Sequence, residues 1–69
     1  MDYEDHINKA EGAVDKIKQY VPFRDKERLD LALDSYKFFA SLPESLTTVI
    51  QMQKELENID RVVAENDLN

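Results

Sequence analysis

Along the first third of the chain the apolar residues fall at Tyr3, Ile7, Ala10, Val14, Ile17 and Val21, alternately four and three positions apart. That alternation is a heptad seam and predicts an amphipathic helix over about residues 2–20. Asp2, Glu4 and Asp5 stand at its start and Lys16 and Lys18 near its end, each sign suited to the helix dipole there. Val21-Pro22 stops it, because a residue before proline avoids the helical region. Gly12 falls on the side opposite the seam, where it costs up to about 1 kcal/mol relative to alanine.

A second helix is predicted over about 24–41, with Asp25 as its N-cap. Around its axis Leu29, Ala32, Leu33, Tyr36, Phe39 and Ala40 share one apolar face. Leu31, Phe38 and Leu42 form another beside it, with Ser35 between. Together they cover roughly 220° of the circumference, against the ~100° stripe of an ordinary surface helix. Such a helix sits at the centre of the fold and has apolar surface to spare.

The stretch FFASLPESL decides how the second helix ends. Ser41-Leu-Pro-Glu44 matches a capping box, and proline fits the first turn of a helix, where its missing N–H is not needed. The expectation is a break, with Ser41 or Leu42 capping a third helix over about 43–65. The rival is one long helix kinked at Pro43. In the third segment Val49, Met52, Leu56, Ile59 and Val63 repeat at three and four, a narrow coiled-coil seam that Leu46 and Ile50 widen at its start. The tail over 66–69 is polar and expected to fray. The fold class that follows is all-α: a single-domain three-helix bundle, helices 2 and 3 forming an antiparallel hairpin, within an oligomeric helical assembly.

Size sharpens that last expectation. Ordering 69 residues costs on the order of 100 kcal/mol, which one small core barely offsets. Without Cys there is no disulfide, and with one His there is no four-ligand Cys/His zinc site. Helix packing and association remain. No uncharged run approaches the ~20 residues of a membrane span, and the acidic N-terminus lacks the apolar stretch of a signal peptide. A cytoplasmic location and no membrane partner are expected.

The net charge of −6 is uneven: −2 over residues 1–20, zero over 21–40 and −4 over 41–69. Such a chain repels phosphate backbones and anionic lipid, so no direct nucleic-acid binding is expected. Arg24, Lys26 and Arg28 form the one basic cluster, and Asp25 and Glu27 neutralise it. Catalytic material is sparse. His6 lies four residues after Asp2, a spacing that offers two ligands and no selective metal site. Ser35, Ser41 and Ser45 have no nearby histidine, and one Gly cannot make a phosphate loop. No enzyme activity, cofactor or metal is expected.

What remains is a non-catalytic interaction protein, regulatory or structural, that binds a protein partner through an apolar helix face and self-associates. Leu31, Phe38 and Leu42, or the later seam residues Leu56, Ile59 and Val63, are the candidate interface. The alternative is an acidic inhibitor imitating nucleic acid with Glu55, Glu57, Asp60, Glu65 and Asp67. Lys54 and Arg61 interrupt that cluster.

Overall fold

A computed structural model describes residues 3–66 and contains three helices, α1 (Glu4–Lys18), α2 (Phe23–Ser41) and α3 (Leu46–Glu65). Among the described residues no side chain caps α1; Glu4 and Asp5 in its first turn and Lys16 and Lys18 in its last complement the dipole. Its seam behaves as the spacing predicts, with Ala10 and Val14 buried and Tyr3, Ile7 and Ile17 packed against the core. The helix stops at Lys18, and buried Val21 carries the chain to extended Pro22.

Pro22, not Asp25, occupies the N-cap position of α2. Its φ of −65° and ψ of 162° make it the last non-helical residue, and its carbonyl accepts the N–H groups of Asp25 and Lys26, both at 3.0 Å. Asp25 therefore lies inside the first turn, with its carboxylate directed inward. Leu29, Ala32, Leu33 and Tyr36 form the buried face, with Phe39 and Ala40 half-buried beside them. This is the first of the two faces expected from the pattern.

The chain breaks at Pro43, but the cap lies further on. Residues 42–45 connect α2 to α3, and Ser45 is the N-cap. Its hydroxyl accepts the Thr48 N–H at 3.2 Å, while Thr48 Oγ1 accepts the Ser45 N–H at 2.9 Å. Ser41, expected as a cap, instead ends α2 and donates its hydroxyl to the Phe38 carbonyl at 2.6 Å. Glu44, the other half of the expected box, accepts the Tyr3 hydroxyl at 2.8 Å and ties the connection to the start of α1. A link of four residues gives the chain room to reverse, which a cap at Ser41 would not.

Helices α2 and α3 form the antiparallel hairpin that the pattern predicts and are the most closely packed pair. α1 lies antiparallel to α2, held in register by Lys18–Asp30 at 2.8 Å and Lys37–Glu11 at 2.6 Å. Such exposed pairs add little energy each, so their part is to set alignment. The core centres on Leu29, Val14 and Val62, with Met52 and Ile59 from α3. The α3 seam is turned from the expected one: Val62 is buried and Val63 only half-buried, while Val49 and Leu56 lie towards solvent. The cause is α2, which covers the flank carrying Val62 and leaves the opposite edge of the seam open.

Two consequences are measurable in urea unfolding. Ser45→Ala should cost about 1 kcal/mol, whereas Ser41→Ala should stay within about 0.5 kcal/mol; the reverse order would return the cap to Ser41. Nothing lies within 4 Å of a Cβ built on Gly12. Gly12→Ala should therefore stabilise the fold by about 0.5–1 kcal/mol.

Candidate docking surfaces

A set of polar side chains holds the helices to one another. Asp25 is buried at the start of α2. It accepts Asn66 Nδ2 at 3.0 Å and Arg28 Nη1 at 3.0 Å, and Arg28 reaches on to Glu65 at 2.7 Å. Asn66 also donates to the Val62 carbonyl at 2.9 Å. The cluster latches the first turn of α2 to the last turn of α3. The Asn66 amide, with Arg28 beside it, holds the Asp25 carboxyl below its ordinary pKa, while Glu65 and Asp25 raise that of Arg28. At the other end of the bundle Glu44 keeps the proton on the Tyr3 hydroxyl, and burial raises the Tyr36 phenol.

His6 is exposed, its ring 6.3 Å from that of Tyr3. Asp2 lies outside the described residues. Among the described residues no group of three or more His, Cys, Asp or Glu side chains is placed to hold a metal, and no helix is long and apolar enough to cross a membrane.

The candidate interface residues divide. Leu31 and Phe38 are 68% and 59% exposed, and Leu42 follows one turn on at 37%, so the three form an apolar row along the outside of α2. The adjacent phenylalanines part company as their spacing requires. Phe39 turns to the core, and Phe38 stands outside with its ring against the edge of Phe39, centroids 5.4 Å apart. Leu56 is exposed at the edge of α3, but Ile59 belongs to the monomer core and Val63 is half-covered. The later seam is thus partly consumed by the fold, and only its outer edge is free.

The acidic candidates do not converge. Glu55 is half-buried in the cleft between α2 and α3 beside Arg28 and Leu31, and Glu65 is engaged by Arg28. Glu57 and Asp60 are exposed and lie about 60° apart on the outer side of α3, away from Glu55 and Glu65. Asp67 lies outside the described residues.

One feature escaped the sequence reading. The seam between α1 and α3 is grooved at both ends, at one by Tyr3, His6, Val49 and Leu56 over Tyr36 and Met52, and at the other by Lys16, Ile17, Tyr20 and Val63. The spacing of Val49 and Leu56 holds no signal for it, because the same seam can centre on α2 or on the gap beside it.

No family model matches this sequence, and neither a curated protein nor a solved structure resembles it significantly.

The latch has a pH signature. Because Asp25 titrates lower in the folded chain than in the unfolded one, it contributes stability at neutral pH that disappears as pH falls through its lowered pKa. The stability difference between wild type and Asp25→Asn, followed by urea unfolding from pH 7 to below 3, should therefore shrink on acidification. A constant difference would mean that Asp25 carries no charge-dependent role.

Proposed function

We propose that this chain is a non-catalytic protein–protein interaction module, regulatory or structural and cytoplasmic, which docks a protein partner through the outer row of α2 and self-associates. The observation that carries this reading is the exposure of Leu31, Phe38 and Leu42 on a bundle whose core is already closed by the opposite side of the same helix. An apolar row with a phenylalanine at its middle is the kind of anchor that helix-in-groove recognition uses. Action is by occupancy: the row stabilises or blocks a surface of its partner. The inward-facing carboxylate, Asp25, is bonded by Asn66 and Arg28 into a structural latch. The mimicry of nucleic acid as an alternative is the weaker reading, since of Glu55, Glu57, Asp60 and Glu65 only Glu57 and Asp60 share a side of α3.

Photo-crosslinking tests the row directly. A photoreactive side chain at Phe38 in the producing cell should give discrete protein adducts, which the same group at solvent-facing Glu27 should not, and Leu31→Asp should reduce them at least about tenfold. No adduct, or adducts independent of Leu31, would overturn the assignment of this row. The captured complex should persist from low to high salt. Dissociation that is steep in salt would favour the nucleic-acid mimic instead.

A further inference from the structure

α1 and α3 each lean on α2 and make few contacts with one another, which leaves the seam between them grooved at both ends. Its α3 wall carries Val49, Leu56 and Val63 at seven-residue intervals, and its α1 wall carries Ile17 and Tyr20. The two rims differ in charge balance: the α1 flank is basic except for Asp5, and the acids of the α3 flank have Lys54 and Arg61 on their far side. Lys9 and Lys16 stand two positions before Glu11 and Lys18, the α1 residues paired to α2. They are therefore about 200° round the helix from those pairs, on the flank turned away from α2. Across the groove, Glu57 and Asp60 flank Leu56 and Val63 on the outer side of α3. All four charged side chains are exposed, and none forms an ion pair among the described residues.

Their heights along the bundle also correspond. α1 and α3 run parallel, with Tyr3 and His6 level with Val49 to Gln53, and Lys16 to Tyr20 level with Val63. Lys9 then stands within about a turn of Glu57 in height, and Lys16 within about a turn of Asp60.

We infer that the α1–α3 flank is a self-recognition surface, on which a second copy docks about a two-fold axis parallel to the helices. A two-fold contact uses the same patch on both copies. With the axis along the helices, α1 of each copy faces α3 of the other, so both basic rims meet acidic ones. A perpendicular axis would set α1 against α1, lysines against lysines, and is disfavoured by like charge. Val49, Leu56, Val63, Ile17 and Tyr20 of both copies fill the middle, completing a four-helix layer. The bundle extends 34 × 19 Å between Cα extremes before side chains are added, a flank of the scale that stable pairs bury, roughly 800 Å² per partner. This rests on the interaction-module reading and assigns its self-association to one surface, leaving the α2 row to a different protein.

Charge reversal on both rims tests it. Light scattering and sedimentation equilibrium would be run on the full chain, on K9E/K16E, on E57K/D60K and on their equimolar mixture. All four charged side chains are exposed, and circular dichroism with thermal unfolding checks that the variants stay folded. The wild type should dimerise, and each variant alone should dimerise at least about tenfold more weakly. The mixture should recover dimers, because the all-acidic flank of one variant meets the all-basic flank of the other. Wild-type assembly unaffected by either reversal, or a mixture that stays monomeric, would overturn the groove assignment while leaving self-association standing. A wild type that is monomeric at hundreds of micromolar would remove self-association altogether, and the module reading would then rest on the Phe38 crosslink alone.

Discussion

The burial of α2 on two sides is the constraint from which the rest of this structure follows. A chain of 69 residues without cysteine has one core to build and only helix packing to build it with. Leu29, Ala32, Leu33 and Tyr36 give α2 a face wide enough to receive both neighbours, and each neighbour is laid against it by a narrow seam. Two helices that both lean on a third need not close on each other. The open groove between α1 and α3 is thus a consequence of where the apolar residues of α2 lie, and of nothing specific to α1 or α3.

Electrostatics sets alignment more than strength. Lys18–Asp30 and Lys37–Glu11 fix the slide of α1 along α2, and the Asp25–Arg28–Glu65 chain with Asn66 fixes where α3 ends against α2. Exposed pairs contribute little to stability, but a slipped register would break several at once and would uncover a charged Asp25 in the interior. The latch is the more consequential of these devices, because a buried carboxylate left without its donors is expensive. Its members come from opposite ends of the hairpin, so it rewards only the antiparallel arrangement.

Much of this was legible from periodicity. The α1 seam, the buried face of α2 and the outward position of Leu31 and Phe38 all follow from spacing, because an isolated helix already decides which residues share a side, and the break follows from Pro43. Three things did not follow. The capping serine was misplaced because Ser41-x-x-Glu44 looks the stronger box, whereas the connection needs length and Glu44 is drawn off to Tyr3. Asp25 reads as a surface cap until Asn66, 41 residues away, is brought to it. And the α3 seam gives the same spacing whether it is centred on α2 or on the gap beside it; only packing turned Val62 inward and left Leu56 at the edge. Spacing specifies a stripe, while the neighbour decides which edge of it is covered.

That uncovered edge ties stability to occupancy. A bundle this small buries a low fraction of its apolar surface, so any chain that covers the groove or the α2 row adds burial that the monomer lacks. A ligand that binds only the folded state stabilises it in proportion to the logarithm of its concentration over Kd. For a large domain such an increment is a correction; for a single core with one buried latch it is comparable to the whole. The apolar residues that a more stable monomer would have exchanged for polar ones are therefore the ones whose retention costs it most when alone. Leu31 and Phe38 on one side, and Val49 and Leu56 on the other, are four such residues on two separate flanks. If both flanks dock as proposed, one contact holds the chain folded while the other flank is presented, whereas one continuous patch would force its occupants to compete.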